Sequence, residues 1–185
     1  MKSTVYHNII RVFLMALPVI LLLSCRKQAA SEKAPEMTAE EEKEMLLRVN
    51  KFLVQKDVEL IESYSKRHGW NMEFSETGLF YEIYEPAQGK KVEQGDIINL
   101  KYELSLLDGT LCYSSEEDGN KIFKLGKSQE ISGLEQGVAL MRAGEKARFI
   151  IPPHLAYGLL GDEDRIPARS IIIYDVELVE ARSPE

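Results

Sequence analysis

Cysteine, histidine and tryptophan are scarce in this chain. Of 185 residues, two are cysteine, three are histidine and one is tryptophan. Cys25 and Cys112 are too few and too far apart for a disulfide scaffold or a cysteine-rich zinc site. His7, His68 and His154 stand well separated, and no H-E-x-x-H, P-loop or G-x-G-x-x-G occurs, so neither metal nor cofactor is expected. Basic charge is also short. Lys and Arg number 23 against 30 Asp and Glu, a formal charge of −7, which leaves no basic footprint for nucleic acid. No apolar run reaches the roughly 20 residues of a spanning helix. The length fits one ordinary domain with an appendage.

The appendage begins with a targeting segment over residues 1–24. Lys2 and Arg11 supply positive charge with no acid, and Val12 to Leu23 is uninterrupted apolar sequence, the length of a signal-peptide core. It ends in Leu22-Leu23-Ser24-Cys25, which resembles the lipobox of bacterial lipoproteins, with Cys25 as the lipid-bearing first residue of the mature chain. An ordinary secretory signal that happens to end near a cysteine is the alternative. Loss of Lys2 and Arg11 with this segment would move the formal charge from −7 to −9. Cys112 would then have no intramolecular partner. Lipid on Cys25 would hold an acidic body at a membrane of the bacterial cell envelope, expected on the periplasmic face of the outer membrane.

Residues 25–37 are small, polar and aperiodic, and read as a flexible tether. Thr38 and Glu41 form a candidate capping box, and Lys66-Arg67-His68-Gly69 supplies a basic last turn and a glycine stop. Between them Leu46, Val49, Phe52, Leu53, Leu60, Ile61 and Tyr64 recur at spacings of three, four and seven. The pattern predicts a helix over Ala39 to His68 within a segment 38–69, with Asp57 a possible interruption. Its stripe could pack on the same chain, pair with a second copy in a homodimer, or bind clients. His68 reads as a helix-end or surface residue.

Over residues 70–185 the period changes. Leu79 to Tyr84, Asp96 to Leu106, Ile122 to Leu125, Ala147 to Ile151 and Ser170 to Val179 read as strands, with Asp108-Gly109 as a hairpin signal after the second. Leu134 to Met141 is one short helix. The fold class is α+β, an antiparallel sheet wrapped over that helix. Glu116-Glu117-Asp118-Gly119 lacks the spacing of a calcium loop and reads as a solvated turn. Gly133 and Gly137 have membrane-dimer spacing, but Glu135 lies between them. Cys112 reads as a small buried residue.

What remains is a set of apolar and aromatic residues at turns. Leu100-Lys101-Tyr102, Leu107-Asp108-Gly109, Leu125-Gly126-Lys127, Ile131-x-Gly133-Leu134-x-x-Gly137, Met141-x-x-Gly144-Glu145, Pro152-x-x-x-Ala156-Tyr157-Gly158 and Tyr174-Asp175-Val176-Glu177-Leu178 follow in that order. The order and spacing resemble the FK506-binding-protein (FKBP) family of peptidyl-prolyl isomerases, over roughly Val92 to Val179. Anchor, helix and domain together resemble the gliding-motility-associated FKBP-type lipoproteins of Bacteroidetes. The resemblance implies an FKBP-like sheet around one short helix, and an isomerase that assists folding of exported, proline-containing polypeptides. A non-catalytic chaperone or assembly factor using the same groove, or the helix, is the alternative.

The resemblance also implies a site. Tyr102, Ile131, Leu134, Ile166 and Tyr174 would line a cup for the proline ring, with the Ile131 amide and the Tyr157 hydroxyl meeting substrate carbonyls. Cys112 and Tyr113 stand where family members carry Phe-Asp, so Cys112 marks an altered wall. Leu134 stands where many have a Trp floor, and Lys121 lies near the place of another aromatic.

Overall fold

Alternation along the chain settles which faces are covered. In the computed structural model, which describes residues 37–184, Ile98, Leu100, Tyr102 and Leu104 of one strand are buried, while Lys101 and Glu103 between them are exposed. That strand, β3 (Ile97–Leu106), pairs antiparallel with β7 (Ile172–Arg182) along its whole length. Around them stand β1 (Glu73–Phe74), β2 (Phe80–Glu85), β4 (Leu111–Ser114), β5 (Lys121–Lys124) and β6 (Lys146–Ile151). The order is β1-β2-β6-β7-β3-β4, with β5 also on β3, and every pairing is antiparallel.

The two faces of this sheet carry different loads. On one, Ala147, Phe149, Ile151, Ile172, Tyr174, Val176 and Leu178 join the buried residues of β3 in the main core. The helix α3 (Ser132–Leu140) closes that core with Leu134 and Val138, both fully buried. Its glycines permit the approach: a Cβ on Gly133 would lie 2.3 Å from Ile151 Cγ2, and one on Gly137 would lie 2.7 Å from the Phe149 ring. The G-x-x-x-G spacing thus serves helix-on-strand packing within the chain.

The long helix α1 (Ala39–His68) has the expected span. At its start Thr38 N donates to Glu41 Oε2 at 2.8 Å and Glu41 N to Thr38 Oγ1 at 3.3 Å, the reciprocal capping box. From Met45 onward the chain forms one compact unit. Within it Ile61 is fully buried, with Val58, Tyr64 and Trp70, against Phe80, Ile150, Ile171 and Ile173 on the second face of the sheet. Arg148 adds a tie, lying 4.0 Å from the Trp70 ring while donating to Asp175. The apolar stripe is therefore divided. Of its C-terminal part Ile61 and Tyr64 pack on the sheet, whereas Leu60 stays exposed, as do Leu46, Val49 and Phe52. Asp57 does not interrupt the helix; it is buried and paired with Arg169, which offsets the cost of burying a carboxylate.

Smaller differences have local causes. Asp108-Gly109 does turn β3 into β4, with Gly109 at φ 87° and Asp108 Oδ1 accepting from Thr110 N. Glu116 to Asp118 are exposed, as a solvated turn requires, and belong to α2 (Ser115–Asp118), a single helical turn that Ser114 Oγ caps by accepting from Glu117 N.

Gly137→Ala should lower stability by about 1–3 kcal/mol through overpacking against the fully buried Phe149. Alanine's higher helix propensity offsets part of this, by up to about 1 kcal/mol. A fall in the urea midpoint at constant m checks it.

Candidate functional site

β3 and β7 set the back of the site. Their register places Tyr102 opposite Val176 and Leu104 opposite Tyr174, so the two tyrosine rings are diagonal neighbours on the core face, 5.8 Å apart. Leu134, in the first turn of α3, is fully buried beside them. Ile131 precedes that helix in extended conformation, φ −62° and ψ 145°. Its amide has no protein acceptor among the described residues and is available to a ligand carbonyl.

Tyr157 is held by the Pro152-Pro153 corner. A 3₁₀ turn (Pro153–Leu155) follows β6, and Gly158 N donates to Pro153 O at 2.9 Å. The chain then makes a loop whose organiser is Asp162. Its Oδ1 accepts from Ile166 N at 2.7 Å and Asp164 N at 3.0 Å, while its Oδ2 accepts from the Tyr113 hydroxyl at 2.6 Å. Burial alone would raise the Asp162 pKa; the Tyr113 hydroxyl and these amides outweigh it and hold the carboxyl below its usual range. Ile166 is thereby turned inward and left 3% exposed.

The altered wall lies between this loop and β4. Cys112 is buried, its Sγ 3.6 Å from Arg165 O, and Arg165 Nη1 donates to Cys112 O at 2.7 Å. The Arg165 guanidinium also lies 5.0 Å from the Tyr113 ring. The tyrosine at position 113 and the acid at position 162 form a hydrogen-bonded pair across the rim. Position 113 itself carries no carboxylate; the acid that its hydroxyl meets belongs to the loop opposite. On the other side Lys121 Nζ stands 5.1 Å over the Tyr102 ring and pairs with Glu130 at 3.0 Å, a cation at the edge where an aromatic was expected.

All seven candidate residues and Cys112 belong to the main core or pack against it: Tyr102, Cys112, Leu134, Ile166 and Tyr174 buried, Tyr113, Ile131 and Tyr157 partly so. Asp162, Arg165, Lys121 and Glu130 hold its rim. Of these only Lys121 was singled out by sequence reading; an Asp-Glu-Asp-Arg run in a loop looks like solvated surface until its fold is known, and Glu130 likewise carries no local signal.

The chemistry available is that of an apolar cup with neutral donors. Burial pushes the Tyr102, Tyr157 and Tyr174 hydroxyls up in pKa, so each keeps its proton. The buried Tyr174 hydroxyl has no partner within full hydrogen-bonding geometry; the Tyr157 hydroxyl is near enough to raise its pKa further through its charge and a weak hydrogen bond. Nothing in the cup is poised as a base or nucleophile. A concavity of about 540 Å³ has Tyr102 in its lining together with Lys101, Glu103, Lys146, Asp175 and Glu177, a lining too charged to seat a proline ring.

Comparison with known proteins agrees with this geometry. Residues 88–179 match the family described as FKBP-type peptidyl-prolyl cis-trans isomerase. FK506-binding protein 2 of Dictyostelium discoideum is 44% identical over 48% of this chain and 68% of its own length. The probable FKBP-type peptidyl-prolyl cis-trans isomerase FkpA of Neisseria meningitidis is 32% identical over 83% of this chain, which spans 61% of that protein's length. The crystal structure of FkpA from Escherichia coli superimposes with a TM-score of 0.60 at 26% identity, covering 80% of this chain and 75% of that one. The chain belongs to the FKBP-type peptidyl-prolyl isomerase family. Its bacterial relatives of the FkpA kind match beyond the isomerase region, into the sequence that precedes it.

Tyr174→Phe should stabilise the fold by about 1 kcal/mol, because it removes a buried hydroxyl that has no partner. An unfolding midpoint that rises in thermal or urea denaturation checks it; a fall would mean that the hydroxyl is satisfied in solution.

Proposed function

We propose that the chain catalyses cis–trans isomerisation of X–Pro bonds in exported polypeptides, at a bacterial membrane surface to which lipid on Cys25 anchors it. The observation that carries the catalytic reading is that Tyr102, Leu134, Ile166 and Tyr174 share one apolar core, the two tyrosine rings 5.8 Å apart, together with a free Ile131 amide and a protonated Tyr157 hydroxyl. Rotation about an amide bond faces a barrier of about 18–20 kcal/mol because twisting breaks resonance. The planar amide has the larger charge separation, so a dry apolar cup disfavours it relative to the twisted one. The cup seats the proline ring, and the two donors hold flanking carbonyls while the bond turns. Covalent chemistry has no part in this.

The anchor rests on Leu22-Leu23-Ser24-Cys25 and on resemblance to FKBP-type lipoproteins; these residues lie outside the described structure. Among the described residues no helix is long and apolar enough to cross a membrane. Attachment to the periplasmic face of the outer membrane would then depend on the lipid alone.

A second reading is supported by the helix. Met45, Leu46, Val49 and Phe52 expose apolar surface on the N-terminal part of α1, which suits a second copy of the chain or an extended client. It is compatible with catalysis, since a holding surface raises the local concentration of substrate at the cup.

The mature chain should accelerate a proline-limited refolding reaction at micromolar concentration. Tyr157→Phe should lower kcat/KM about three- to tenfold, the worth of one hydrogen bond of about 1 kcal/mol. No acceleration, together with retained suppression of aggregation, would favour the holding function. For the anchor, Cys25→Ala should move the protein from the membrane fraction to the soluble fraction; persistent membrane association would point to a different attachment.

A further inference from the structure

The loop that carries the cup wall is closed at its base by one residue. Arg169 N donates to Gly158 O at 3.0 Å, which brings the two ends of the segment together directly after Tyr157. Within the closed loop lie Asp162 and Ile166. Arg169 holds this closure in left-handed conformation, φ 56°, uncommon for a residue with a side chain. A side chain in that backbone region needs something to keep it there.

What keeps it there comes from α1. Both carboxylate oxygens of Asp57 accept from Arg169 Nη2, at 2.8 and 2.7 Å. Asp57 is 7% exposed, and the Arg169 side chain is partly buried. Two residues on, Ile171 continues the attachment by joining the cluster around Ile61, one turn further along the helix, while Ser170 Oγ donates to Pro167 O within the loop itself.

Docking of the helix does not call for this pair. Ile61, Tyr64 and Trp70 already bury apolar surface on the sheet. A buried ion pair stabilises little against apolar residues of the same volume, since desolvation offsets its attraction. Its strength is geometric: it fixes where two groups stand. Here one group belongs to the helix and the other closes the loop bearing Tyr157 and Ile166.

We propose that Asp57 and Arg169 are positioning residues for isomerisation, and that α1 sets the order of the cup wall through them. The inference rests on the cup being the isomerase site. Its chemistry is remote: neither residue touches substrate, and both act through the closure at Gly158.

Two readouts on the full mature chain test it together. In Asp57→Asn, kcat/KM for an X–Pro peptide should fall at least threefold. Exchange of the Arg169 amide should quicken at least tenfold, while amides of β3 and β7 exchange as in the parent. The exchanged pair, Asp57→Arg with Arg169→Asp, keeps the summed side-chain length and should return both quantities to within twofold. Unchanged exchange at Arg169 in Asp57→Asn would overturn the proposal. So would loss of activity that merely follows loss of protection in β3 and β7, or an exchanged pair as impaired as the single variant. If the parent shows no isomerase activity, the catalytic reading fails by itself, and amide exchange still decides whether the helix orders the loop.

Discussion

The structure depends on covering β7 from both sides. Ile172, Tyr174, Val176 and Leu178 point to the main core, while Ile171 and Ile173 face α1. A fully buried side chain of this size contributes about 1.5–3 kcal/mol, so neither face can be left to water without a large loss. Helix α3 covers one side and the C-terminal part of α1 the other. The long helix is thus more than a spacer ahead of the isomerase domain; the sheet uses it as a second cover. The sequence carries the consequence where β7 begins, as an apolar run from Ile171, just before the strand, through Ile172-Ile173-Tyr174 rather than simple alternation.

Covering the sheet in this way brings two ties to the same loop from opposite sides. Tyr113 reaches Asp162 from β4, and Asp57 reaches Arg169 from α1. Both are hydrogen bonds to carboxylates, the stronger kind, and both act on a segment with few apolar contacts of its own. Leu159 and Leu160 at its start remain exposed. A loop that must present Ile166 inward while keeping an open rim cannot be ordered by burial alone. Directional polar bonds supply the order that packing leaves out.

Regular structure was legible where one local rule sufficed. The capping box at Thr38 and Glu41 and the glycine after His68 bounded α1 to the residue, and period-two alternation placed β3. Two strands escaped. β1 has only two exposed residues, and β4 is four residues long with Cys112 in place of a strong strand former, so neither carries a periodic signal. Asp57 read as an interruption because a lone acid on an apolar stripe has no local explanation; its partner is 112 positions away in sequence. The cup residues were legible only as motif order, since spacing shows that Tyr102 and Tyr174 recur and register shows that their rings meet. Asp162 escaped for the same reason: the hydroxyl it accepts lies on another strand.

These departures bear on how an isomerase of this kind tolerates change. A reaction that needs an apolar seat and two donors places few demands on any single wall residue. Leu134 can stand where a larger aromatic is expected because it still supplies a dry floor. Lys121 can replace an aromatic at the edge because its charge is engaged by Glu130 and lies against the Tyr102 ring. The rim is less forgiving. The hydroxyl of Tyr113 is held by Asp162, the same residue that accepts from the Ile166 and Asp164 amides. One carboxylate thus fixes both the Tyr113 side chain and the loop's shape, so the two can no longer vary independently.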